Sequence, residues 1–242
     1  MLQGYYSAAT GMNAALNNQD ILAENLAHAP VPGYRRQGLA FESYVQPPPT
    51  PTQGKPSAPL HGARVAQHAT SFTPGPMQHT GNPLECAIQG EGFFVLEGPQ
   101  GPLYTRNGQF QINAEGQLVS HSGYAVRGSG GPLRIPQNAA NIRISQDGTV
   151  SADNTQIGQL SYVTFNDPSK LVRTGTTLFH APEGVSSQAA TASIRQGYRE
   201  GSNVDVVREM VQMVVGMRQY DASAKALRSL SDAMQQRISG QM

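Results

Sequence analysis

One cysteine, Cys86, and no tryptophan stand among the 242 residues. A lone thiol excludes an intramolecular disulfide framework and a cysteine-based zinc site. Charge is scarce: Asp, Glu, Lys and Arg make up 14% of the chain, and 17 basic against 16 acidic side chains leave a net +1. That balance exerts no general pull on nucleic acid or on an anionic membrane. Long hydrophobic runs are missing as well. The richest apolar stretch, Met210 to Met217, is eight residues long and contains Gln212 and Gly216, against the ~20 needed to cross a bilayer. No membrane insertion is expected. Residues 1–28 lack a basic leading region, and Asn, Gln and Asp interrupt what would be an apolar stretch, so no cleavable secretory signal is expected.

Glycine (26) and proline (17) are plentiful, a composition suited to short strands, turns and extended connections. Residues 3 to about 28 read as one amphipathic helix, stopped at Pro30-Val31-Pro32-Gly33. Residues 31–74 read as an extended connector, with Pro47-Pro48-Pro49-Thr50-Pro51, Pro56 and Pro59 favouring polyproline II. Residues 75–200 show short strand-like runs at regular spacing, and Asn107-Gly108, Glu115-Gly116 and Asp147-Gly148 offer hairpin turns. From Ser202-Asn203 the period switches to that of a helix. Ser202 or Asn203 is placed to cap it, with Asp205 and Glu209 near its positive end. The expected fold class is α+β: an all-β central domain (75–200) between terminal helices (1–30 and 202–242) that form a coiled-coil-like inner layer.

Both ends carry apolar stripes at 3.5-residue spacing. The first runs Leu2, Tyr5, Ala9, Met12, Leu16, Gln19, Ala23, Leu26; the second runs Val206, Met210, Met213, Met217, Tyr220, Ala224, Leu227, Ser231, Met234, Ile238. A single helix cannot bury such a seam, so each requires a neighbouring helix. Val207, Val211 and Val214 form a second stripe, which suggests more than one neighbour. Because isolated helices are marginal in water, these ends are expected to order on association.

Candidate chemistry is thin. Gly90-Glu91-Gly92 lacks the third glycine of a dinucleotide loop, since position 95 is Val95, and strand residues follow where a helix should. The six histidines are scattered, and Cys86 with His79 has neither an oxyanion site nor an orienting third group. The methionine stripe reads as packing surface, not as a soft-metal array. No catalytic residue, metal, cofactor or small-molecule substrate is expected. Arg35-Arg36 is too small a basic patch for nucleic acid and is assigned instead to carboxylates on an adjacent subunit.

Several stretches, taken in order, carry a resemblance. They are Asn25-Leu26-Ala27-His28-Ala29-Pro30-Val31-Pro32-Gly33-Tyr34-Arg35, Ala87-Ile88-Gln89-Gly90-Glu91-Gly92-Phe93-Phe94, and Tyr104-Thr105-Arg106-Asn107-Gly108-Gln109-Phe110. After these come Gly116-Gln117-Leu118-Val119, Asp147-Gly148-Thr149-Val150, and Gln196-Gly197-Tyr198-Arg199-Glu200-Gly201-Ser202-Asn203-Val204. In this order the chain resembles the bacterial flagellar axial proteins and, within them, the basal-body rod proteins. It departs at His28, usually Asn, and at Val31, usually Thr. The resemblance implies a non-enzymatic subunit exported through the flagellar type III apparatus. Such a subunit polymerises helically in the periplasm with copies of itself and homologous axial subunits, around a central export channel. Length and opening sequence sit closer to a proximal than to a distal rod subunit; a hook-type protein or a non-flagellar stalk are the alternatives. The expected assembly interface comprises Leu2, Tyr5, Met12, Leu16, Asn25, Leu26, Gly33, Tyr34, Asn203, Val206, Met210, Met213, Met217, Tyr220 and Leu227.

Overall fold

The computed structural model describes residues 2–46, 60–136, 139, 141–153 and 155–239. Two compact units emerge. The first gathers helix α1 (Leu2–Ala27), strands β1 (Gln37–Gln46) and β2 (Leu60–Thr70), and helix α2 (Val206–Ser239); the second comprises His28–Arg36 and Ser71–Val204.

In the first unit α1 lies against α2 and against the β1–β2 hairpin. The α2 cap is Asp205, not Ser202 or Asn203: its Oδ1 accepts the Arg208 N–H at 3.1 Å, and its carbonyl accepts the Glu209 N–H at 2.9 Å. An aspartate here satisfies an otherwise orphaned amide and sits at the positive end of the helix dipole. The connector expected over 31–74 is replaced in part by real sheet. β1 and β2 pair antiparallel from Gln37↔Thr70 to Gln46↔Leu60, with one extra residue, Ala66, on β2 opposite Ala40 and Phe41. The extra residue shifts the register by one and breaks the two-residue alternation of β2, while β1 has none to read, since Ala40, Phe41, Glu42 and Ser43 are all exposed. The polyproline II expectation, residues 47–59, lies outside the described residues.

The second unit is antiparallel sheet. Its largest sheet is ordered Val172–Arg173, Leu178–His180, Gly101–Thr105, Phe93–Gly98, Ala125–Gly128, Leu118–Ser120, Phe110–Ile112. Phe93–Gly98 is buried on both faces. Phe94 and Leu96 join Phe110, Leu118, Val126 and Val150 on one side. Phe93 and Val95 join Tyr104, Phe165, Leu171 and Phe179 on the other. A strand between two apolar layers reads as an unbroken apolar run, which is what Phe93-Phe94-Val95-Leu96 is. Two short ladders close the unit: Cys86–Gln89 with Ser193–Gln196, and Met77–His79 with Tyr198–Glu200. Ser193–Gln196 and Tyr198–Glu200 are separate strands, divided at Gly197. Gly116 and Gly148 take the expected positive φ, whereas Gly108 does not. Gly108 is required by crowding, since a Cβ there would lie 1.7 Å from the Cys86 carbonyl oxygen.

Candidate functional site

Three of the sequence stretches that carry the resemblance converge inside the second unit. Gly33 has φ +72°, and a Cβ on it would fall 2.4 Å from the Asn107 nitrogen, so only glycine lets this turn reach the 106–107 backbone. Its N–H donates to the Glu200 carbonyl at 2.8 Å. Next to it, Tyr34 is fully buried, stacked on His28 with ring centroids 5.1 Å apart. The Arg35 guanidinium is 0% exposed and its Nη2 lies 2.6 Å from Glu200 Oε1, with Glu200 itself 2% exposed. Oε1 also accepts the Gly75 N–H at 3.0 Å. Arg106, 4% exposed, brings Nη1 to 3.6 Å from Glu200 Oε2 and donates through Nη2 to the Gly90 carbonyl at 2.7 Å. Burial drives the Arg106 guanidinium down to about 10, with Arg35 adding to the shift and Glu200 and Glu91 opposing it.

Two cations held by one carboxylate away from water form a clasp that draws together residues 33–36, 75, 106 and 200. Asn203 reinforces it: its Oδ1 accepts the Arg36 N–H at 2.7 Å, and its Nδ2 donates to the Ser71 and Thr73 carbonyls at 2.9 and 3.0 Å. Arg35 therefore binds a carboxylate of its own chain, correcting the expectation of an intersubunit pair. Sequence reasoning assigned no role to Arg106 or Glu200. The available signal was that three of the recognised stretches each place a charge one or two residues after a tyrosine: Tyr34-Arg35, Tyr104-Thr105-Arg106 and Tyr198-Arg199-Glu200.

A second node stands in the first unit. The Asn25 side chain pairs with the Gln37 backbone in both directions, Nδ2 to the carbonyl and Oδ1 from the N–H, each at 2.8 Å. Its Nδ2 also reaches Glu209 Oε2 at 3.3 Å. One buried amide thus joins the end of α1, the start of β1 and the first turn of α2. Beyond it, the inner face of α1 is offset from the expected seam. Ile21, Leu22 and Asn25 are buried and Gly11, Ala14, Ala15 and Asn18 half-buried, while Leu16 and Ala23 are exposed. Gly11, Ala14 and Ala15 share a cleft with Gly216 and Gln219 of α2. The space beside Gly11 and Gly216 is open, since a Cβ on either would meet nothing within 4 Å, so the half-buried face of the pair is shared between these small residues and part of the predicted stripe.

The expected interface residues consequently divide. Asn25 is interior to the first unit; Gly33 and Tyr34 are interior to the second, and Asn203 is half-buried there. Met12, Leu26, Met213, Tyr220 and Leu227 are half-buried in the first unit. Leu16, Val206, Met210 and Met217 are exposed. Leu2 and Tyr5 lie in α1, with side chains outside those described. The second valine stripe on α2 is open: Val207 is 71%, Val211 57% and Val215 56% exposed, with Val214 and Met210 beside them. These positions recur every three or four residues, so they form one continuous apolar face.

Cys86 is a buried thiol, pushed up to about 12 from an ordinary 9.0 by burial and, secondarily, by Glu85. At pH 8 it holds about 1,000-fold less thiolate than an exposed cysteine, so iodoacetamide is expected to leave it intact until the protein unfolds. The raised value also sets a pH dependence. Its contribution to stability is complete below pH 9 and declines toward pH 12, as the unfolded thiol ionises first. Arg106, lowered in the fold, acts oppositely and adds stability from pH 10 toward 12.5. Cys86→Ala removes only the first effect, so between pH 9 and 11 its melting temperature is expected to fall less steeply than that of the parent. Among the described residues no group of His, Cys, Asp and Glu is arranged to hold a metal ion. No described helix is long and apolar enough to cross a membrane.

A β unit with its clustered charges locked inward, on a chain whose helical end presents an apolar face outward, defines a structural protein built to pack. Two sequence families match: the flagellar hook protein FlgE/F/G D1 domain over residues 87–152, and the flagellar basal body rod FlgEFG protein C-terminal region over residues 195–240. The chain is 31% identical to flagellar basal-body rod protein FlgG of Buchnera aphidicola subsp. Acyrthosiphon pisum, over 99% of both chains. It is 32% identical to FlgG of Agrobacterium fabrum over 91% of this chain and 92% of that one. It is also 32% identical to FlgF of Caulobacter vibrioides, over 86% and 85% respectively. The chain belongs to the flagellar basal-body rod protein family, of the FlgG/FlgF type, and is a structural rod subunit.

Proposed function

We propose that this subunit polymerises helically in the periplasm with copies of itself and with other axial subunits. Its terminal helices line a central export channel, and its β unit, residues 75–200 together with the clasped segment 28–36, makes lateral contacts with neighbouring subunits. The observation that carries this reading is the apolar face of α2: after α1 has packed, Val207, Met210, Val211, Val214 and Val215 still stand in water. A monomer gains nothing from such a face, whereas a neighbouring helix would remove it from solvent. Lateral contact through Leu16, Val206, Met210 and Met217 extends the same surface. Export through the flagellar type III apparatus and a place in the proximal section of the rod complete the proposal. Electron microscopy of basal bodies purified from cells carrying a tagged subunit tests it. Label along the proximal rod is the expected result; label confined to the distal rod or hook overturns the proximal placement, and absence of label from the axial structure overturns the rod reading.

A further inference from the structure

We propose that Met210 and Met217 form a reversible oxidation site that controls assembly. A hydroperoxide converts their thioethers to sulfoxides in the free chain, and a chain so modified is excluded from the polymer. The two side chains are 49% and 43% exposed. They stand seven residues apart on α2, two turns along the helix and about 20° apart around it, so one flank of the open valine face carries both. Met12 and Met213, on the same pair of helices, are half-buried. A dissolved oxidant therefore meets Met210 and Met217 first.

Little else in the chain competes for the oxidant. There is no tryptophan, and the one cysteine, Cys86, is 0% exposed, which leaves a two-electron oxidant with the methionines. Met77, in the strand Met77–His79 of the second unit, is 37% exposed. It supplies an internal control away from α2.

In the reaction a sulfur lone pair attacks one peroxide oxygen, and the O–O bond breaks as the S–O bond forms. The departing hydroxide takes the proton of the transferred oxygen and leaves as water. Sulfur gives up two electrons and the peroxide accepts them. The product replaces a flexible apolar group with a strong dipole whose oxygen accepts hydrogen bonds. In water that oxygen is hydrated. Under a neighbour it needs a donor, and the side chains around it, Val207, Val211 and Val214, offer only methyl groups. The helix itself is left alone, because its packed side carries Glu209 and Met213 instead. Methionine sulfoxide reductases, one for each epimer, undo the change, so the site is a switch. That a neighbour covers this face rests on the rod-assembly reading; the order of reactivity among the methionines does not.

The test treats the full-length chain with hydrogen peroxide below its assembly concentration and locates the added oxygen by peptide mass spectrometry. The protein is then concentrated for sedimentation. Met210 and Met217 are expected to oxidise severalfold faster than Met12 and Met213, with far-UV circular dichroism unchanged. The critical concentration should rise roughly tenfold for each sulfoxide, and the paired reductases should restore it. Met210→Leu with Met217→Leu, a swap that keeps volume and helix propensity, should assemble equally well before and after peroxide. Met77→Leu should stay as sensitive as the parent. The proposal is overturned if Met210 and Met217 react no faster than Met12 and Met213, or if the leucine pair is as sensitive as the parent. Equal reactivity of both thioethers in the polymer and in the free chain also overturns it. A parent that polymerises regardless of its sulfoxides overturns the switch alone; an untreated parent that forms no polymer overturns the assembly reading as well.

Discussion

Val211→Lys combined with Val215→Lys is expected to abolish polymerisation and leave the folded chain intact. Both side chains are more than half exposed, so lysine at either position meets water and disturbs no packing within the subunit. In the proposed polymer the same positions would lie against a neighbour. Each substitution there forfeits the transfer of a valine and adds the desolvation of an ammonium group. At a minimum of ~1.4 kcal/mol per site, two sites raise the critical concentration by at least about 100-fold. Sedimentation and negative-stain microscopy read the polymer, while thermal melting reads the fold. Filaments at the parental concentration would show that this face is not used. Met213, by contrast, is half-buried in the first unit, so a lysine at that position would confound loss of assembly with damage to the helix pair.

The contrast between Met213 and Val211 marks how far the sequence could be read. Spacing revealed that α2 has two apolar stripes, because a 3.6-residue repeat is a property of one local segment. Which stripe meets α1 depends on the partner. Along the predicted stripe Met213, Tyr220 and Leu227 are half-buried while Val206, Met210 and Met217 are exposed, a division that the spacing alone does not set. The helices do find each other within one chain, and an apolar face of α2 survives that pairing. Most strands of the second unit were legible for the same local reason, and Phe93-Phe94-Val95-Leu96 announced a doubly buried strand directly. The hairpin β1–β2 was not, since Ala40 to Ser43 of β1 are exposed in succession and the extra Ala66 interrupts β2. Least legible were the two polar nodes. Asn25 reaches Glu209 across 184 positions and Arg35 reaches Glu200 across 165, separations at which no periodicity operates.

The Arg35–Glu200–Arg106 clasp supplies the second large expected effect. Glu200→Gln preserves shape and removes one negative charge, leaving two guanidiniums buried within the second unit. Stripping one partner from a buried ionic cluster costs about 3–5 kcal/mol, because the remaining charges keep their desolvation penalty without compensation. For a unit of this size the melting temperature should fall by roughly 10–15 °C. Oε1 accepts from both Arg35 and the Gly75 N–H, so a glutamine that keeps its oxygen there turns its amide NH2 toward Arg106 Nη1, donor against donor. The double variant Arg35→Met, Glu200→Met separates charge from packing. It removes a cation and the carboxylate together, so it should recover part of the stability lost in Glu200→Gln, although Arg106 then has no acidic partner within the clasp. A midpoint for Glu200→Gln within a degree or two of the parent would mean that the carboxylate is not what binds residues 33–36 to the β unit. A cooperative melt of a chain lacking the first 36 residues, at the parental temperature, would rule out the clasp by another route. Tyr34 and Arg35 are fully buried in that unit, so their removal should open its interior.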